Sequence, residues 1–181
     1  MYISSQKKKE NIAEYVLYMW QIEDIIRAYK LDIELIHKNI IEAYNLPTEK
    51  KEELTQWYEQ LIEMMRSENV MTTGHLQINK NIIIHLTDLH ITLLNSKQSG
   101  KYSALFHKTL PFIQELKTKQ PTELDNDIEV CFNFLYGILM LKLQQKEISK
   151  ETEQALTQIT SFIALLSANY KLFKDGKLEL E

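Results

Sequence analysis

The sequence predicts an all-α protein, and three observations carry that prediction. Only four glycines and three prolines occur in 181 residues, so long helices can run without interruption. Apolar residues recur at the three- and four-residue spacing of amphipathic helices in one segment after another. No segment has the convincing apolar–polar alternation of a half-buried strand. We expect a single helical domain over residues 1–176, followed by a loose tail at residues 177–181.

The first predicted helix begins near Ser5, ends near 28–30, and has an unusually wide apolar arc. Its polar residues fall on one narrow strip, and apolar residues fill nearly all the rest of the circumference: Ile12, Tyr15, Val16, Tyr18, Met19, Trp20, Ile22, Ile25 and Ile26. A helix that is apolar almost all round is normally enclosed by other helices or shared with a second subunit.

Further helices are predicted at about residues 33–44, 48–67, 75–95, 101–119, 127–145 and 150–173, giving about seven in all. Asp32, Thr48 and Ser149 are the expected N-caps of three of them. Glu68–Gly74 and Asn95–Gly100 are expected to be loops.

Two residues inside the later helices predict local features. Pro111 should kink or break the fifth helix, because proline removes a backbone hydrogen bond. The sixth helix is apolar around most of its circumference, and Gly137 within it would let another helix approach closely. We therefore expect one compact bundle with the first and sixth helices at its centre, and Gly176 just beyond the last helix.

Charge and composition exclude several classes of protein. The net charge is −4 and the isoelectric point is about 5.8, whereas a nucleic-acid-binding surface needs clustered lysine and arginine. The only dense basic run, Lys7–Lys9, is best explained as a solvated helix start. The longest uncharged apolar run, Val130–Leu141, is too short to cross a membrane. We expect a protein that binds neither nucleic acid nor membrane.

Cellular location is predicted from the cysteine content and the N-terminus. Cys131 is the single cysteine, so an internal disulfide is excluded. Acidic residues interrupt the apolar stretch after Lys7–Lys9, and no small-residue cleavage site follows, which argues against a signal peptide. The prediction is a cytoplasmic protein.

The run Lys9–Arg27, KENIAEYVLYMWQIEDIIR, resembles the N-terminal signature of a domain-of-unknown-function family of uncharacterised bacterial proteins, known mainly from Bacteroidetes. The resemblance implies a small, all-helical, cytoplasmic protein. It implies no activity, cofactor or catalytic residue.

Glu23 and Arg27 are the most informative polar pair, because they lie one turn apart within the apolar arc of the first helix. One interpretation is structural: the pair bridges a tertiary contact inside the bundle. The other is functional: Arg27 presents its guanidinium to an anionic ligand or partner, with Glu23 orienting it.

Histidine patterns offer weaker candidates for chemistry. His85 and Asp88 lie one turn apart on the fourth helix, but His90 points away from them, so the three cannot chelate one metal ion. Glu34 and His37 form a single Glu-x-x-His motif, whereas di-iron bundles need two. The sequence therefore predicts no catalytic residue, metal ligand or cofactor.

Two functional hypotheses follow. The leading one is a non-catalytic interaction module that self-associates or binds another protein, with Trp20 and Arg27 as surface anchors, since Trp and Arg are common in interface hot spots. The alternative is an enzyme or small-ligand binder with a pocket between helices, in which at least two of Glu23, Arg27, His85 and Asp88 converge.

Overall fold

The regular structure is entirely helical in the described residues, 7–119 and 126–179, which confirms the predicted all-α class. In this computed structural model the helices are α1 (Ile12–Ala28), α2 (Ile33–Ile36), α3 (Thr48–Ser67), α4 (Gln77–Asn95), α5 (Gly100–Lys119), α6 (Asp127–Leu143) and α7 (Lys150–Lys174). A π-helical turn, His37–Ile41, continues α2, and a 3₁₀ turn, Lys97–Ser99, precedes α5.

Polar side chains cap most of these helices at their N-termini. Asn11 has an extended backbone and its side chain accepts hydrogen bonds from two amides of the first turn of α1, so α1 is separated from helical residues 7–10. The predicted start at Ser5 lies outside the described residues. Asp32 and Ser149 cap α2 and α7 as predicted. The prediction for Thr48 is wrong: it is the first helical residue of α3, and Pro47 precedes it without a side-chain cap.

The π-helical turn changes which residues after α2 reach the core. The amide of Glu42 donates to the carbonyl of His37, 2.9 Å away, across five residues instead of four. Ile41 is therefore fully buried, whereas Ile40 is only half-buried and Tyr44 is exposed. In a regular α-helix over residues 33–44, as the sequence predicts, Ile40 and Tyr44 would lie on the same face as the buried Ile36.

Within the part of the chain that it describes, the structure shows neither a break at Pro111 nor a close helix contact at Gly137. The helix α5 continues through Pro111 without a break. The carbonyl that loses its partner there belongs to His107, which is exposed, so water can satisfy it. Gly137 is also exposed, and a Cβ added to it would have no atom within 4 Å among the described residues. No helix of the described chain approaches α6 closely at this glycine.

Four helices, α1, α4, α6 and α7, each pack against four other helices of the bundle. The sequence predicted this central position for α1 and α6, and α7 contacts α1, α4, α5 and α6. The largest fully buried side chains include Trp20, Tyr58, Phe132 and Phe162, from α1, α3, α6 and α7. The core is therefore built from both ends of the sequence, and it holds α4 against α1 on one side and α7 on the other.

His90 is a buried polar residue within this core. Its Nδ1 lies 2.7 Å from the hydroxyl of Tyr102, and its ring packs against Phe106 and Phe162. Burial lowers the pKa of His90 below its ordinary value, and the Asp127 carboxylate only partly opposes this effect. The folded state therefore favours the neutral imidazole.

We predict that His90 makes the protein less stable in mild acid. Because the pKa of His90 is lower in the folded chain than in the unfolded chain, the unfolded chain binds a proton at this histidine more readily below about pH 6.5, so the free energy of unfolding falls as pH falls. Urea unfolding at about pH 7.5 and about pH 5.5 should show a smaller loss in His90→Gln than in wild type. The exposed His107→Gln should behave like wild type. The prediction would be contradicted if the free energy of unfolding fell equally between the two pH values in all three proteins.

Candidate functional site

Glu23 is the centre of a buried polar network between α1 and the start of α4. Its side chain is 0% exposed. One carboxylate oxygen accepts from the backbone amide of Leu76 at 3.0 Å and from the side-chain amide of Asn79 at 2.7 Å. The other accepts from Nδ1 of His75 at 2.6 Å. Glu23 thus fixes the first residues of α4 to α1, at the helix end where negative charge is favoured.

Arg27 holds the loop that joins α3 to α4. Its guanidinium donates to the backbone carbonyls of Val70, at 3.1 Å, and of Gly74. It also forms an ion pair with Asp24 at 2.8 Å. The nearest approach of Arg27 to the Glu23 carboxylate is 4.0 Å, which is too long for a hydrogen bond. Glu23 therefore holds the start of α4, and Arg27 holds the loop before it. The two side chains do not hydrogen-bond to each other.

Trp20 completes this network from the inside of the bundle. It is 2% exposed, and its indole stacks on the His75 ring with centroids 4.0 Å apart and planes inclined by 11°. The edge of Trp20 meets Tyr136, whose hydroxyl donates to Asp24 at 2.5 Å. Burial, reinforced by this bond to Asp24, raises the pKa of Tyr136. Trp20 is thus a packing partner of His75. It is buried, whereas a surface anchor would have to be exposed.

His85 lies on the side of α4 that faces α7, and Asp88 lies between that side and the solvent-facing side of the helix. Both line a small cavity of about 290 Å³ together with Tyr170 and Phe173. His85 also lines a larger groove of about 790 Å³ between α4, α7 and residues 7–10. Glu23 and Arg27 line neither space. His85 and Asp88 therefore share one cavity, whereas Glu23 and Arg27 lie apart from both spaces.

The solvent-facing side of α4 carries two large apolar residues, one near its middle and one in its C-terminal part. Ile84 is 49% exposed and Ile91, two turns further on, is 52% exposed. Lys80 and Asp88 lie one turn before and one turn after Ile84 on the same side. Neither forms an ion pair with any described residue. We call Lys80, Ile84, Asp88 and Ile91 the α4 outer face.

Comparison with known proteins identifies the family. A family model described as Domain of unknown function (DUF4924) matches residues 1–177. The chain belongs to this family. The match confirms the resemblance seen in Lys9–Arg27. No match was found among curated proteins or among solved structures.

The described residues of this DUF4924 chain contain no cluster of three histidine, cysteine or acidic side chains that could hold a metal ion. His37 lies 3.8 Å from Glu42, and both are on the surface. Cys131 is fully buried, and burial raises the pKa of its thiol, so it is a poor nucleophile. No helix in the described ranges combines the length and the apolar character needed to cross a bilayer.

Sequence reasoning missed two partners of the Glu23 network and the α4 outer face. His75 and Asn79 lie 52 and 56 residues from Glu23, and no local pattern links positions so far apart. The outer face did leave a signal in the run Ile82-Ile83-Ile84. Three consecutive residues on a helix point in three different directions, so one isoleucine had to face away from the core.

Proposed function

We propose that this protein is a helical self-association module in which the α4 outer face packs against the same face of a second copy. The observation that supports it is the presence of Ile84 and Ile91 on the solvent-facing side of α4, with Lys80 and Asp88, which form no ion pair among the described residues, on either side of Ile84. Exposed β-branched residues at a two-turn spacing are typical of a helix that packs against another helix.

The charges on this face favour an antiparallel pair of α4 helices. If the two-fold axis passes at Ile84, the two copies of Ile84 meet at the centre of the contact. Lys80 then lies opposite the partner's Asp88, because each is four residues from Ile84 on opposite sides. The symmetry repeats this pair at the other end of the contact. Two attractive charge pairs thus flank an apolar centre, and a parallel arrangement would lack them.

A contact made mainly by one helix from each chain buries less area than a standard protein interface of about 1,600 Å². The proposed dimer is therefore weak and reversible, and its population depends on protein concentration. Such an interface suits a module that assembles when its local concentration rises.

Sedimentation velocity tests this proposal. The wild-type sedimentation coefficient should increase with protein concentration, and Ile84→Glu should stay monomeric, because two glutamates would face each other across the axis. Leu143→Glu is the matched control: Leu143 is 59% exposed on α6, outside the proposed contact, and this variant should behave like wild type. The proposal would be contradicted if the wild type were monomeric at every concentration, or if Ile84→Glu and Leu143→Glu lost self-association equally.

A non-catalytic, cytoplasmic role with a protein partner is part of the same proposal. The net charge of −4 weighs against nucleic acid as the partner. The buried and unreactive Cys131 suits a reducing compartment. The alternative of a ligand pocket at Glu23 and Arg27 receives little support, because Glu23 has no exposed surface and its oxygens are already hydrogen-bonded.

A further inference from the structure

The groove between α4, α7 and residues 7–10 has the dimensions of a small-molecule site. Its volume of about 790 Å³ falls within the usual range for organic ligands. It lies on the side of α4 next to the outer face, and none of the four outer-face residues lines it. What it holds is therefore a question separate from self-association.

Positive charge converges on this groove from both ends of the chain. Lys8 and Lys9 line it from the N-terminal side, and Lys171 and Lys174 line it from α7. Two acidic residues, Glu10 and Asp175, also line it, so the lysines outnumber the carboxylates by four to two. Lys171 and Lys174 lie in the last turn of α7, where the helix dipole favours positive charge. That dipole does not explain why Lys8 and Lys9 converge on the same space.

The lysines near α7 are not engaged elsewhere. Lys9, Lys171 and Lys174 form no ion pair within residues 7–119 and 126–179, whereas Lys8 lies over the ring of Tyr15 at 5.3 Å. Like charges held around one space repel one another, so an anion in the groove would lower the electrostatic energy of the folded protein.

Ser167 is a second and independent indication of a ligand. The residue lines the groove and is 7% exposed, and its hydroxyl has no hydrogen-bond partner in the described part of the chain. A buried hydroxyl without a partner is unfavourable, and a ligand oxygen would supply the missing acceptor. Ile12, Ile82 and Tyr170 provide apolar surface beside it.

We infer that this groove binds a small organic phosphate. The lysines neutralise the phosphate, the Ser167 hydroxyl donates a hydrogen bond to a ligand oxygen, and the organic part packs against Ile12, Ile82 and Tyr170. Phosphate fits this set because lysines bind it as point charges without requiring the planar geometry of an arginine site. An apolar wall favours an organic phosphate over the free ion.

Isothermal titration of the full chain with phenyl phosphate tests the inference. We expect one saturable site per chain, with affinity that falls as salt is added. Lys171→Glu/Lys174→Glu should weaken binding at least about tenfold. Lys101→Glu/Lys108→Glu makes the same charge change on exposed positions of α5 and should bind like wild type. Absence of binding to wild type, or equal weakening in both double variants, would overturn the inference.

Ser167→Ala separates a ligand contact from a structural role. Because the hydroxyl has no partner in the folded chain, its removal should leave the melting temperature unchanged or higher. The affinity for phenyl phosphate should nevertheless fall roughly tenfold. Inorganic phosphate and citrate should bind more weakly than phenyl phosphate. An unchanged affinity in Ser167→Ala, or citrate binding as tight as phenyl phosphate, would overturn the assignment.

Discussion

Glu23→Ala should lower the free energy of unfolding by about 3–5 kcal/mol, the largest effect expected from one substitution in this chain. The change leaves the amide of Leu76 and the side chain of Asn79 without their acceptor in a buried site. It also removes the partner of His75, whose ring is stacked on Trp20. A loss of this size is a large fraction of the stability of an ordinary domain.

Urea unfolding measures this loss, and two variants control it. Glu63→Ala removes an exposed glutamate of α3 and should change stability by no more than about 0.5 kcal/mol. Glu23→Gln keeps the shape and one acceptor oxygen, so it should destabilise less than Glu23→Ala. If Glu23→Ala were as stable as Glu63→Ala, the network would not hold α4 against α1.

Arg27→Met should be the second most damaging change, with a loss of about 2–4 kcal/mol. Arg27 is the side chain that joins α1 to the carbonyls of Val70 and Gly74, and methionine can donate to neither. The substitution also leaves the buried charge of Glu23 without its nearest cation. Hydrogen exchange should show faster opening of the loop between α3 and α4 than in wild type.

Lys108→Met is the matched control for Arg27→Met, because Lys108 is exposed on α5 and has no ion pair with a described residue. Its melting temperature should stay close to that of wild type. Arg27→Lys should recover only part of the loss, since an ammonium group cannot reproduce the forked geometry of the guanidinium. Equal melting temperatures for Arg27→Met and Lys108→Met would contradict this account of the loop.

The fold was predictable to the extent that it depends on local pattern. Helix bounds followed from apolar spacing and from caps such as Asp32 and Ser149, whose effects act within one turn. The errors arose where the backbone departs from regular geometry, as in the π-helical turn before Glu42. Pro111 does not break α5, because an exposed helix side tolerates a missing hydrogen bond better than a buried side does.

The functional surfaces were harder to predict, because they depend on tertiary contacts. The sequence singled out Glu23 and Arg27, but it could not find His75, which lies far along the chain. Lys8 and Lys174 belong to opposite ends of the sequence, and only the folded chain places them around one groove. Trp20 was expected on the surface, since nothing local shows that α6 covers it with Phe132 and Tyr136.

Charge reversal on the α4 outer face tests the proposed self-association most directly. In sedimentation equilibrium, Asp88→Lys should weaken the dimer, because Lys80 would then face a lysine of the partner. Adding Lys80→Asp to that variant restores opposite charges across the axis, and the double variant should dimerise like wild type. Restored association would support the antiparallel contact through α4. The account would be contradicted if the double variant were as monomeric as Asp88→Lys, or if Asp88→Lys dimerised like wild type.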